Sequence, residues 1–331
     1  MDLRTLTPLP LRSAGHAAEL HLGAPQRSGP MTVAPIFGPD RGERFMTPLT
    51  GLKLSRVAGY GNVEMECRPS AHGGVAIVPL HIGYVQDRAQ NHALCRSALL
   101  AAGQKIMFDD ACCVQQGQGG LLEERDQGFF VLPLALRHEA LSLRRQKGYS
   151  KLWPAISTLC KDMGLPERGH LEQIICTQRY YLTQYSSRFE LEPGQTGALF
   201  FVDDKLVGLE LGPTPSWFAE VWMPLVCFSY GAHAMPREVS RPRDVPAPLL
   251  GTTAGALRAA LHAERRAAET QLWDRAAAMP AAHFDADEEE RLLDLSLFTV
   301  QSDLFSGQVV EQDGRPVYAS VAARPEWLAA A

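Results

Sequence analysis

The segment from Gln90 to Gly120 runs QNHALCRSALLAAGQKIMFDDACCVQQGQGG, and its last twelve residues hold two carboxylates, two adjacent cysteines, three glutamines and three glycines. Acid, thiol, amide and glycine at this density suit a loop that presents polar groups and lets its backbone approach a ligand closely. Cys113 or Cys112 is a candidate nucleophile if His92 or His81 serves as its base, because the thiolate is the reactive form. A buried structural cysteine is the competing reading of either. Asp109 and Asp110 can act as general base or bind a divalent cation. Neighbouring carboxylates in a strand point to opposite faces, so one of the two reaches a given site.

Gln115, Gln116, Gly117, Gln118, Gly119 and Gly120 can hold a phosphate or ribose through backbone N–H groups and side-chain amides. The segment completes neither the Walker nor the dinucleotide glycine pattern, and a surface loop accounts for the same composition. Gln90, Asn91 and His92 can read a ligand edge or pin a neighbouring loop. The scattered histidines form no metal set by spacing, so no metal ligands are assigned and the cofactor stays unknown.

These residues need elements to position them. From about 57 to 136 the chain shows short apolar or alternating runs separated by Gly, Pro or polar clusters, which predicts strands. Ala93 to Phe108 is expected to fold as a hairpin turning near Ala102 to Gln104, bringing its two flanks together. Apolar spacings of three and four predict a helix over 149–163, with Ser150 a candidate cap, and another from Pro215 behind a Thr214 cap, kinked at Pro224. A long alanine- and arginine-rich helix is expected over 252–279, stopped by Pro280, and the acidic run Asp285 to Glu290 suits a further helix N-terminus.

Two hairpins are expected at 197–211 and 307–321, turning at Asp203–Lys205 and Asp313–Gly314. They resemble each other 110 positions apart: Gly197 with Gly307, Asp203 with Asp313, Val207 with Val317. The same features describe many unrelated hairpins. Together the elements predict an α+β protein with a mainly antiparallel β core flanked by helices, a C-terminal helical extension and a closing hairpin. Four segments follow: a Pro/Gly-rich arm over 1–50, a principal domain over 51–235, a proline-rich linker over 236–251, and the extension over 252–331.

Composition limits the function classes. With 331 residues, 46% hydrophobic and 21% charged, the chain is neither disordered nor too small for a large core. A formal charge of −5 lacks the excess of positive charge that phosphate-dominated nucleic-acid binding needs, so nucleic acid is not indicated as a partner. Seven cysteines with no CxxC spacing argue against a disulfide framework or zinc ribbon, and no apolar run suits a secretory leader or a membrane span. The expectation is a cytoplasmic protein with all thiols free.

AQNHALCRSALLAAGQ resembles the QNR segment and following strand of the ARG and rhodanese-phosphatase-superfamily-associated protein domain family. FDDACCVQQGQGG sits where that family has a strand ending in Cys-Val-Glu followed by a glycine-containing loop, and GALFFVDDKLVGLELGPTPSWFAEVWMPLVCFSYGAHAM resembles its hairpin and Trp-bearing helix. His92 stands where the family usually has arginine and Gln115 where it usually has glutamate, so the chain looks like a divergent branch. The resemblance implies a setting of NAD-derived or phosphorylated molecules in prokaryotic stress or conflict systems, and implies no reaction. Three expectations follow. The first is a ligand-binding or regulatory domain for a nucleotide-like or ADP-ribosyl-containing molecule, centred on 90–92 and 109–120. The second is a hydrolase or transferase using Asp110 or Cys113. The third is a scaffold in which 252–279 contacts a protein partner or a second copy.

Overall fold

In the computed structural model the described residues are 20–70, 73–85, 91–116, 128–240, 251–278 and 283–329. The chain opens with three strands, β1 (His21–Leu22), β2 (Gln26–Ser28) and β3 (Met31–Phe37), the last buried over six of its seven residues. Ten short strands follow: β4 (Phe45–Met46), β5 (Leu52–Gly59), β6 (Asn62–Cys67), β7 (Val75–Val78), β8 (Ile82–Val85), β9 (His92–Ala93), β10 (Ala98–Ala101), β11 (Lys105–Phe108), β12 (Cys112–Cys113) and β13 (Gly128–Val131). They form three small sheets, ordered β10-β7-β4, β11-β6-β5 and β12-β9-β8-β13. Helices then lead to β14 (Gln195–Val202) and β15 (Lys205–Leu211), and after further helices come β16 (Asp285–Leu292), β17 (Leu295–Gln301), β18 (Phe305–Gln312) and β19 (Arg315–Ala323).

The architecture is α+β around a mainly antiparallel core. Its centre is a nine-stranded antiparallel sheet ordered β1-β3-β14-β15-β19-β18-β17-β16, with β2 also paired to β3. Strands from the N-terminal arm, the principal segment and the C-terminal extension therefore share one sheet, and one hydrophobic cluster runs from Met31 to Leu328.

Both expected hairpins are present, and they agree in detail. Gly197 pairs Leu211 and Gly307 pairs Val321, each 110 positions from its counterpart, and the register slips at Phe200/Phe201 in one hairpin and at Val310/Glu311 in the other. Their turns hold the same left-handed pair, Asp203 and Asp204 at φ 52 and 61, Asp313 and Gly314 at φ 51 and 73. Strands β15 and β19 pair antiparallel with Glu210 opposite Ser320, again 110 apart, so a local two-fold axis passes through that pair. Each hairpin leads into a helix opening Pro-x-Trp, at Pro215 to Trp217 and Pro325 to Trp327. Shared register, bulge, turn and following helix mark an internal duplication, which glycine and acidic turns alone would not show. Both glycines face a cross-strand carbonyl: a Cβ on Gly307 would lie 2.1 Å from the Ser320 oxygen, and one on Gly197 2.5 Å from that of Glu210. Gly307→Ala is expected to cost about 1–3 kcal/mol in a denaturant titration, because backbone cannot swing aside as a side chain can. A loss below about 0.5 kcal/mol would show that β18 and β19 separate freely there.

The helices follow local chemistry. Thr214 Oγ1 accepts from Trp217 N at 3.0 Å and Pro215 takes the first position of the Pro215–Met223 helix. Pro224 does not break the run but converts it to a wider π-helical stretch, Pro224–Tyr230, which continues as the helix Gly231–Ser240. The Trp153–Asp162 helix is entered from Leu152 and has no side-chain cap, so Ser150 does not cap it, although its carbonyl accepts from Trp153 N. Thr253 caps the long helix Ala254–Ala277, and its expected stop at Pro280 lies outside the described residues.

Two expectations are corrected. Asp285 to Glu290 is not a helix start but lies in the outer strand β16, where the edge position lets Asp285, Asp287 and Glu288 face solvent and a register slip between Glu288 and Glu290 breaks the alternation. Ala93 to Phe108 is not a paired hairpin: β10, buried over three of its four residues, pairs the fully buried β7, and β11, which starts on an exposed lysine, pairs the half-buried β6. The flanks meet all the same, because β9 pairs β12 with His92 opposite Cys113.

Candidate functional site

Asp110 sits in the turn between β11 and β12, where Phe108 and Asp110 turn inward and Asp109 faces out. Its Oδ2 accepts from Arg96 Nε at 3.2 Å and from the Arg145 backbone N–H at 2.8 Å. Its Oδ1 is buried and has no hydrogen-bond partner among the described residues. A buried carboxylate oxygen left bare is costly, and such groups call for a ligand or water. The residue lines an open cavity of about 410 Å³, whose wall also carries Asp109, Glu289, Glu290 and Gln308.

Elements far apart in the chain build this cleft. Arg96 comes from the bend between β9 and β10 and lies over the Phe108 ring, 4.7 Å from its centroid. Arg145 follows the helix Leu134–Ser142 with φ 61, a left-handed conformation unusual for a side chain this long. Its backbone holds Asp110 while its guanidinium pairs with Glu289, so one strained residue ties two carboxylates together. Glu289 also accepts from Thr299 Oγ1 at 2.7 Å and Arg144 Nε at 2.9 Å. Glu290 Oε2 accepts from Leu99 N at 3.2 Å, which joins β16 to β10.

Environment separates these two acids. Burial pushes the Glu290 carboxyl above its usual range, against the Leu99 N–H and the Arg96 charge. Burial acts on Glu289 as well, but the Thr299 and Arg144 hydrogen bonds and the charges of Arg144 and Arg145 outweigh it and hold Glu289 below the usual range. Neighbouring acids driven apart in this way can divide acid and base roles.

The other expected site residues form an adjoining buried network. Asn91 and His92 are fully buried. Asn91 Nδ2 donates to Gln115 Oε1, Gln115 Nε2 donates to Glu172 Oε2, and Val114 N donates back to the Asn91 carbonyl. His92 Nε2 accepts from Gly61 N at 3.3 Å. Gln116 is locked to Gly169 through backbone and side chain. Cys112 lies with its Sγ 3.2 Å from that of Cys95, and Cys113 is buried with its thiol pushed up by desolvation, which disfavours the thiolate a nucleophile needs. All seven cysteines are free. Gln90, Gly117, Gln118, Gly119 and Gly120 lie outside the described residues. Among the described residues no group of three or more His, Cys, Asp or Glu is placed to hold a metal ion.

A larger cavity, about 610 Å³, lies at the opposite end of the large sheet beside Arg27, Thr32 and Arg265. There Arg27 and Arg188 are committed to Asp204 and Glu238, and among the described residues the buried side-chain group without a partner is a neutral hydroxyl, that of Thr32. The smaller Asp110 cleft thus holds the stronger chemistry.

Sequence reading found Asp109 and Asp110 but not Arg96, Arg145, Glu289, Glu290 or Gln308. Arg96 lay within the polar segment. The β16 acids were hidden by distance in the chain, and the alternation of LSLFTVQ beside them was the available sign that they belong to a strand.

A family model described as the ARG and Rhodanese-Phosphatase-superfamily-associated Protein domain matches residues 19–321. No curated protein and no solved structure matches the chain. Among the described residues no helix is long and apolar enough to cross a membrane.

Proposed function

The chain belongs to the ARG and Rhodanese-Phosphatase-superfamily-associated Protein domain family, and we propose that it is a ligand-binding or regulatory domain for a nucleotide-like or ADP-ribosyl-containing molecule. Asp110, which lines the cleft and whose buried Oδ1 has no hydrogen-bond partner among the described residues, carries this reading. A ribose diol is a paired donor, and carboxylates are the groups that accept from it. The Arg145 side chain, 64% exposed, can exchange Glu289 for a diphosphate oxygen. Asn91, His92 and Gln115 act in this proposal as the scaffold that fixes β12, which follows the turn carrying Asp110. A prokaryotic stress or conflict setting accords with the associations recorded in the family's name.

Calorimetric titration with ADP-ribose tests the proposal. Asp110→Asn is expected to weaken binding at least tenfold, about 1.4 kcal/mol, and Asp109→Ala, at an exposed position, to weaken it less with an unchanged denaturation midpoint. ADP-ribose binding that is indifferent to both substitutions would place the site elsewhere.

A second reading rests on the long helix Ala254–Ala277, whose first four turns stand in solvent with Leu257 and Leu261 exposed one turn apart. This helix would dock a protein partner or a second copy. Sedimentation of the wild type beside Leu257→Glu/Leu261→Glu tests self-association, and identical monomers in both would remove the second copy from consideration.

A further inference from the structure

We infer that the Asp110 cleft is catalytic and hydrolyses a ribosyl glycosidic bond, with Glu290 as general acid and Asp110 as general base; the inference rests on the ligand reading above. In the reaction the bond between the ribosyl anomeric carbon and its leaving atom breaks, and the bonding pair departs with the leaving atom, which takes the proton of Glu290. The oxygen of a water molecule forms the new bond to carbon, and the proton it sheds passes to the Asp110 carboxylate. Exchange with solvent then returns both carboxyl groups to their starting states, so no other reactant is needed.

The division of labour follows from the contacts. Glu289 is held by Thr299, Arg144 and Arg145 and has the role of a positioning residue. Glu290 is tied by the Leu99 N–H at one oxygen, which leaves its carboxyl able to deliver a proton into the cavity. Asp110 is aimed by two donors on Oδ2 while Oδ1 stays bare, the arrangement of an oriented base. Burial that favours the protonated form of Glu290 supports the acid role.

Charge selects the bond. The cleft wall carries Asp109, Asp110, Glu289 and Glu290 against two guanidiniums, Arg96 and Arg145. With Glu290 protonated, the surplus is one carboxylate over the two guanidiniums, and with Arg145 taken by the diphosphate too few cations are left for phosphoryl transfer, which depends on them. The same surplus stabilises the positive charge that develops on a ribosyl ring as its glycosidic bond breaks.

The test uses the full chain and two ADP-ribosyl compounds with different leaving groups, a serine peptide carrying O-linked ADP-ribose and NAD. The expected result is release of free ADP-ribose from the serine peptide. Glu290→Gln should lower kcat for the peptide by about 100-fold to 10,000-fold while ADP-ribose still binds, and should remove the alkaline fall of the pH profile. Its effect on NAD should be smaller, because nicotinamide leaves without needing a proton. Binding of ADP-ribose with no turnover of either compound overturns the catalytic inference and leaves the ligand reading standing. Failure to bind ADP-ribose overturns both. Turnover that survives Glu290→Gln undiminished with the alkaline limb intact overturns the assignment of the acid.

Discussion

Arg137→Ala is expected to lower the unfolding free energy by about 3–5 kcal/mol, the usual cost of deleting one partner of a buried ion pair. Arg137 is 1% exposed and reaches from the helix Leu134–Ser142 to the pseudo-two-fold axis of the large sheet. Its Nη1 donates to Glu210 Oε1 at 2.6 Å and to Tyr230 Oη at 3.0 Å, its Nη2 donates to Ser320 Oγ, and the Tyr230 hydroxyl donates to Glu210 at 2.6 Å. Burial works against the guanidinium charge, but Glu210 and Tyr230 beside it more than restore it, and Arg137 stays protonated. Without Arg137 the Glu210 carboxylate keeps the tyrosine hydroxyl and loses its counter-charge in a dry interior.

A second substitution separates charge from packing. Arg137→Met combined with Glu210→Leu removes both charges and keeps most of the volume, so most of the lost stability should return. Guanidinium denaturation of the single and double variants gives the coupling directly. A single variant within about 1 kcal/mol of the parent would mean that water already reaches the pair. The position of this pair also explains why the duplication is imperfect. Glu210 and Ser320 are related positions facing one another, and one guanidinium between them can be met by one carboxylate and one hydroxyl without a second buried negative charge.

The parts of the fold legible in the sequence were those fixed by neighbours in the chain. The Asp313–Gly314 turn and the Thr214 cap with Pro215 after it each act within four residues, and each appears where its chemistry puts it. What the sequence hid depends on distant partners. Met31–Phe37 looks like part of a proline-rich arm until Gln195–Val202 lies beside it, and then it is a buried inner strand. The acids of β16 match a helix N-terminus as well as an edge strand, and only the β17 register decides between them. Pairing across such separations leaves little trace in local composition.

The candidate site divides in the same way. Asp109 and Asp110 stood out because they share a dense polar segment. Glu290 was out of reach because its link to that segment runs through a single backbone bond to Leu99, 191 positions away. Cys113 illustrates the reverse error, a reactive side chain whose reactivity is removed by burial that its own segment does not announce.

Acidification should destabilise the protein well before its carboxylates titrate, and His81 should carry much of the effect. His81 is 1% exposed, and burial first, then the Arg137 charge, pushes it well below its ordinary value of 6.5. His233, partly open to solvent beside Arg237, is pushed down to about 3, again chiefly by burial. Both are neutral in the folded chain at pH values where the unfolded chain binds a proton. The unfolded state therefore takes up more protons below pH 6.5, and stability falls as pH falls from there toward the folded values. Each pH unit costs up to about 1.4 kcal/mol for a fully buried histidine, with His233 contributing less because solvent screens it. His81 also has φ 63, a conformation that asparagine tolerates, and its Nδ1 lies 3.4 Å from the Leu94 carbonyl, within reach of an asparagine amide. His81→Asn should thus fold and flatten the loss of stability between pH 7 and 5 by nearly one proton's worth. Denaturant midpoints measured at half-unit steps would decide it: parallel slopes for wild type and His81→Asn would mean that His81 is already protonated in the fold.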